Sequence, residues 1–281
     1  MKGLGSALEL LYASTDWKAR RALDPVSFAH RYSGAQDQEI AGLLAALFAY
    51  GRVTLFRPVL DEVLGLMGDS PRGFVEGWDR ARDAGRFEHL VYRWNRGIDL
   101  VHLFDALQEV LEEQGSLGAL SRPSARSSIE TLVDALSEAA ARREDCDFAD
   151  LPRGFRSWMT RPSRGSACKR WAMYLRWMVR PSREGVDLGL WDQPASGLIV
   201  PMDVHVLRIS RFIGLTDRRD ASWRTAEEVT AGLARYDAAD PVRYDFAIAH
   251  LGISGLCVGH RRSECGRCPL DSHCSAGSQS E

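Results

Sequence analysis

The sequence predicts an all-α fold, on three observations. Apolar residues recur at helical spacing through most of the chain, stop and start signals bracket those runs, and no segment shows the alternation of a half-buried strand. In the first run, Ile40, Leu43, Leu44, Leu47 and Phe48 lie on one side of a helix, and Gly51 is a natural C-terminal stop. Ile98, Val101, Phe104, Leu107, Val110 and Leu111 repeat the pattern up to Gly115. A Ser- and Gly-rich loop follows, and Ser127 with Glu130 reads as a capping box for a helix carrying Leu132, Val133 and Leu136. Thr225 and Glu228 read as another. Between them Pro201 favours an extended approach, Asp203 is a good N-cap, and the run to Ile213 reads as a helix stopped by Gly214.

With 281 residues, 45% of them hydrophobic, the chain has material for a full core and two compact lobes. No apolar run approaches the roughly 20 residues that span a bilayer, so no membrane partner is expected. The opening MKGLGSALELLYAS lacks the ordered regions of a secretory signal, which predicts a cytoplasmic chain whose thiols stay reduced.

Four of the six cysteines fall close together, as Cys257-x7-Cys265-x2-Cys268-x5-Cys274. In a reducing compartment, so dense a thiol set is expected to bind metal rather than form disulfides. Structural zinc sites usually show two close ligand pairs set well apart, whereas here only Cys265 and Cys268 form such a pair, so the spacing favours an iron–sulfur centre. Zinc stays open as the alternative, with His260 or His273 able to replace a cysteine. Cys146 and Cys168 are expected to be free thiols. No nucleotide- or flavin-binding loop accompanies the cysteines, which argues against a redox enzyme.

The net charge is only −2, but its distribution is uneven. From Leu151 to Arg183 the chain carries Arg153, Arg156, Arg161, Arg164, Lys169, Arg170, Arg176, Arg180 and Arg183 without one acid. Trp158, Trp171, Tyr174 and Trp177 are interleaved. Clustered cations with aromatics read as a phosphate-facing surface whose rings can stack on bases; a solvated basic face is the plainer reading. Asp203, beyond this segment, is either a helix cap alone or a carboxylate that stabilises a cation or takes a proton. Lys169 is either a phosphate contact or an amine nucleophile able to hold a sugar as a Schiff base.

Together these residues carry a resemblance. The four-cysteine loop, the Asp in VPMDVHVLRISR, and the basic stretch GSACKRWAMYLRW before it resemble the helix-hairpin-helix DNA glycosylase superfamily of the endonuclease III type. More narrowly, GSACKR and LRWMVR resemble a bacterial branch of it. The segment LLAALFAYGRVT resembles that superfamily's barrel-opening helix and the turn after it. The resemblance implies two helical lobes: a central bundle over residues 34–180 ending in the hairpin, and a second lobe from 1–33 with 200–281. DNA lies in the cleft between them. It implies catalysis by Asp203 and Lys169, a [4Fe–4S] cluster on Cys257, Cys265, Cys268 and Cys274, and a monomer acting on lesion-containing double-stranded DNA in the nucleoid. DNA contacts are expected from Arg164, Gly165, Ser166 and Arg170 at the hairpin, His205 beside the aspartate, and Arg261, Arg262 and Arg267 on the cysteine loop. Tyr50 and Arg52 occupy the turn where the superfamily places its gap-filling residue.

Three departures stand out. Ala167 replaces the hairpin's second glycine, 34 residues separate Lys169 from Asp203 where endonuclease III has fewer, and the first cysteine gap is one residue longer than usual. Trp171, Trp177 and Trp191 are candidates for a flipped-base pocket, with core packing expected for at least two of them. The expected function is base excision with associated AP-lyase activity on a damaged base, oxidised bases included. The alternatives are a monofunctional glycosylase and a non-catalytic, metal-stabilised DNA-binding protein.

Overall fold

The run from Glu39 to Phe48 has no solvent-facing side, so it must be enclosed all round, and the fold is organised about it. The computed structural model describes residues 3–277. In chain order it contains α1 (Leu4–Ser14), α2 (Trp17–Leu23), α3 (Ala35–Phe48), α4 (Val53–Met67), α5 (Pro71–Glu76) and α6 (Arg80–Asp83). A two-stranded hairpin, β1 (Val91–Tyr92) and β2 (Asn95–Arg96), precedes α7 (Gly97–Gln114), α8 (Ala125–Glu144), α9 (Arg153–Trp158) and α10 (Lys169–Val179). The chain continues through α11 (Val204–Phe212), α12 (Trp223–Ala234) and α13 (Asp245–Ile253) into a loop of short 3-10 turns.

The protein is mostly helical, in keeping with the periodicity, with one short β hairpin among the described residues. No helix among the described residues is long and apolar enough to cross a membrane. α3 packs against α10, α4, α5 and the 3-10 turn Pro25–Arg31, while α7 and α8 lie along each other. α1 and α11 both pack on α13, so residues from both ends of the chain meet there. Buried apolar side chains from Ala7 to Leu270 form one continuous cluster.

Two helix starts differ from expectation. Ser124, not Ser127, caps α8 by accepting from the Ser127 amide, and Ser222, not Thr225, caps α12 by accepting from the Thr225 amide. In each case a serine three residues upstream reaches the free amides first. Glu130 is thereby released to hold the α9–α10 connection: it accepts from Ser163 N at 2.7 Å. Gly51 is left-handed at φ 79°, two residues beyond the Ala49 C-cap of α3.

The basic segment is only partly a surface. Arg176 and Arg180 are buried and ion-paired: Arg176 with Asp187 at 2.7 Å and Asp245 at 2.9 Å, Arg180 with Asp187 at 2.9 Å, Glu184 at 2.9 Å and Asp240 at 2.8 Å. Their acids come from beyond residue 183, which is why a local count of charge places them outside. Burial pushes the Asp245 carboxyl up to about 6, with Arg176 pulling against it. The tryptophan expectation for the core holds for all three candidates: Trp171, Trp177 and Trp191 are buried, and the Trp191 indole donates to the enclosed Glu39 at 2.8 Å.

Candidate active site and nucleic-acid interface

The connection between α9 and α10 is a tight turn closed by specific contacts. Gly165 is left-handed at φ 77°, where a Cβ would be strained, and its carbonyl accepts from Trp223 N at 3.1 Å. Ser166 bridges to Ser222, and its hydroxyl accepts from Cys168 N at 3.2 Å. Cys168 is itself left-handed at φ 47° and buried, and burial raises its thiol to about 11. Arg161 is held by Glu130 and Asp134. The chain then enters α10 with Lys169 as its first residue.

An ammonium at the positive end of a helix is electrostatically disfavoured, so Lys169 needs an anion nearby. Asp203 supplies it. The two residues are far apart in sequence, yet Lys169 Nζ lies 3.6 Å from Asp203 Oδ2. Both side chains keep some access to solvent, 35% and 15%. Asp203 divides its carboxylate: Oδ1 caps α11, accepting from His205 N at 2.9 Å and Val206 N at 2.8 Å, while Oδ2 faces the lysine. Two helix N-termini therefore converge on one point, an arrangement suited to anions. Val204, the next residue, is 69% exposed.

His205 packs so closely on α13 that a Cβ at Gly252 would overlap its ring. Burial lowers its pKa, with Asp203 acting in the opposite sense. One turn on, Arg208 donates to the Cys257 carbonyl at 2.7 Å. α11 thus ties the carboxylate at its start to the beginning of the cysteine loop.

That loop is anchored by Cys257 N donating to Leu251 O at 2.9 Å and Ser275 N to Phe212 O at 2.8 Å. All four cysteines are free thiols. Burial raises the Cys268 thiol, a backbone hydrogen bond from Leu270 opposes the rise, and Cys257, Cys274 and Cys265 add to it. No three of these sulfurs lie within 4.8 Å of one another. In donor chemistry alone, four thiols on one loop are soft ligands of the kind that zinc and iron both take. Arg261 pairs with Asp271 at 2.6 Å and Arg262 with Glu264 at 3.3 Å, while Arg267 is exposed and makes no ion pair among the described residues.

The remaining expected contacts divide. Arg164 is exposed on the turn. Arg170 is largely enclosed, donating to the carbonyls of Leu47 and Ser157 with its guanidinium 5.4 Å from the Tyr50 ring centroid; this desolvation pulls its pKa down to about 10. It supports the wall beside Lys169 rather than facing a phosphate. Tyr50 is half-covered and donates through its hydroxyl to Asn95 Oδ1 and to Tyr92 O at 3.1 Å, whereas Arg52 is exposed at the start of α4. The β hairpin covering Tyr50 has no counterpart in the sequence reading, because strands of two residues are too short to alternate. His102, Asp105 and Glu144 also cluster within 4.8 Å, and Arg80 ion-pairs with Asp105 at 3.3 Å and with Glu144, supplying their positive charge.

No curated protein and no solved structure matches the chain at a significant level. Residues 24–254, a span that contains α9, α10, Lys169 and Asp203 and ends ahead of Cys257, match the family described as "Protein of unknown function (DUF2400)", and the chain belongs to that family.

Proposed function

We propose that this protein is a DNA base-excision glycosylase with AP-lyase activity, acting on a damaged base in duplex DNA. The observation that carries the reading is the pairing of Lys169 with Asp203 at 3.6 Å, at the first turns of two helices. The α9–turn–α10 segment, with Gly165 left-handed and Arg164 exposed, supports a helix-hairpin-helix contact with a phosphate. In this chemistry Lys169 Nζ forms a bond to the sugar C1′ as the glycosidic bond breaks and the base leaves with the electron pair. Asp203 Oδ2 receives the proton lost from the amine, and its charge opposes the cation that develops on the sugar. Ring opening, with a proton passed to O4′, then gives a protonated imine; loss of a C2′ proton to a base forms the C2′–C3′ double bond as the 3′ phosphate leaves with the C3′–O electron pair.

Cys257, Cys265, Cys268 and Cys274 would hold a [4Fe–4S] cluster. Its contribution is positional: ordering the loop fixes the basic residues around it and, through Arg208, braces the helix that Asp203 caps.

The test is borohydride trapping on a panel of lesion-bearing and abasic duplexes. The expected result is a covalent protein–DNA adduct that Lys169→Ala abolishes. A monofunctional glycosylase is the second reading, favoured by the fact that 3.6 Å is longer than a hydrogen bond. It predicts free base without strand scission or adduct. Release of no base and no adduct from any duplex overturns both.

A further inference from the structure

Trp94, at 49% accessibility, is the one exposed tryptophan among the described residues, while six of the other seven are buried. It sits at the tip of the β1–β2 hairpin, where Arg93 takes a left-handed φ of 55°. An indole left in water for no purpose would be free to move, but this one is fixed from two sides. Its Nε1 donates to Ser157 Oγ at 3.1 Å, and its ring stacks on Tyr50 with centroids 5.1 Å apart and planes 19° from parallel. Tyr50 is itself held by Asn95 and Tyr92 and backed by Arg170, the neighbour of Lys169. The turn before α4 closes the same assembly: a Cβ at Gly51 would stand 2.8 Å from the Tyr92 hydroxyl and 3.0 Å from an Arg93 nitrogen.

The exposed charge beside this stack is positive, while Asp99, the acid behind it, is buried and held by the Asn95 side chain and the Arg96 backbone amide. The Arg93 guanidinium lies 5.3 Å from the Trp94 ring and 6.0 Å from the Tyr50 ring. Among the described residues, Arg52, Arg93 and Arg96 make no ion pair, and Arg96 spends one nitrogen on the Arg93 and Asn95 carbonyls. A fixed aromatic ring bordered by three uncompensated arginines matches a polyanion that carries flat apolar faces, which is the chemistry of nucleic acid. An apolar protein partner would meet three unmatched charges here.

We propose that the Tyr50–Trp94 stack is a platform for one unstacked nucleobase of the DNA, with Arg52, Arg93 and Arg96 on the flanking phosphates. The inference rests on the glycosylase reading only for its setting: excision leaves a base without a partner, and the platform rests against Arg170, the residue that follows Lys169 in α10. Tyr50 acts from below, as the support of Trp94, and the exposed indole makes the contact.

The experiment uses the full chain and two duplexes, one carrying 2-aminopurine opposite a tetrahydrofuran abasic analogue and one fully paired, read by anisotropy and by 2-aminopurine emission. Binding is expected to quench the emission of the gapped duplex. Trp94→Ala should weaken that duplex about ten-fold or more, and the paired duplex less than about two-fold. Trp94→Phe, which keeps a ring that can stack, should recover most of the loss. If Trp94→Ala binds the gapped duplex as tightly as the parent, or if the chain binds neither duplex, the platform is wrong. Borohydride trapping by the parent is scored in parallel on a third duplex carrying a natural, aldehyde-forming abasic site, because the tetrahydrofuran analogue has no C1′ carbonyl from which an imine can form. Trp94-dependent affinity without an adduct removes the lyase chemistry and leaves the platform, and an adduct without Trp94 dependence does the reverse.

Discussion

Asp203 offers a test in which structural and chemical roles separate atom by atom. Oδ1 caps α11 and Oδ2 faces Lys169, so substitutions can remove one function at a time. Asp203→Asn keeps an oxygen for both amides, since asparagine caps as well as aspartate. It loses only the charge contact at 3.6 Å between partly exposed groups, worth less than about 1 kcal/mol. Asp203→Ala also loses the cap, a further ~1 kcal/mol, or about 2 °C in melting temperature for a chain of this size. Against lesion-bearing duplex both variants should fall together, by about 10²- to 10⁴-fold in the rate of adduct formation, because neither can accept the amine's proton. Circular dichroism melts and single-turnover trapping measure the two quantities in the same preparations. Should Asp203→Asn trap at the parent rate, the carboxylate has no chemical part and is a cap alone. Should it melt as low as Asp203→Ala, the assignment of Oδ1 to the cap fails.

Other outcomes follow from the buried network and the loops. Arg176→Met strands Asp245 in the interior and leaves Asp187 with Arg180 alone, and should lower unfolding free energy by about 3–5 kcal/mol in urea titration. Burial raises the folded pKa of Asp245 to about 6, above its unfolded value near 4, so the folded state binds the extra proton between those limits. This group therefore destabilises the protein progressively as pH rises from about 4 to 6. Asp245→Asn should remove that slope, which denaturation at pH 4, 5, 6 and 7 would reveal. A Cβ at Gly154 would overlap the buried Asp99 carboxylate, which accepts from Arg96 N at 2.8 Å and Phe155 N at 2.9 Å, so Gly154→Ala should cost more than about 2 kcal/mol. Cys268→Ser should abolish the visible charge-transfer absorbance expected of freshly purified protein; colourless parent protein containing zinc would instead reject the iron assignment.

Much of the architecture was legible in local pattern. The all-apolar run of α3, the turn at Gly115 and the Asp203 cap of α11 each depend on residues within a turn or two of one another, and those interactions survive in any tertiary setting. Where two local solutions competed, pattern alone chose wrongly. Ser124 and Ser127 are both competent caps for α8; Ser124, three residues upstream, takes the role, and Glu130 instead accepts from Ser163 N.

Charge was the least readable feature, since the fate of an arginine depends on acids that need not be near it in sequence. Arg176 and Arg180 lie in an acid-free stretch, yet they are buried against Asp187, Asp240 and Asp245. The candidate site divides in the same way. The sequence by itself determined which groups carry chemistry: a lysine in a basic turn, an aspartate at a helix mouth, four thiols on one loop. Only the tertiary structure decided that Lys169 meets Asp203, that Arg170 turns inward beneath Tyr50, and that Trp94 stays in water. The reason is that helix periodicity fixes which face of a segment is apolar, whereas meetings across many intervening residues are set by how those faces pack.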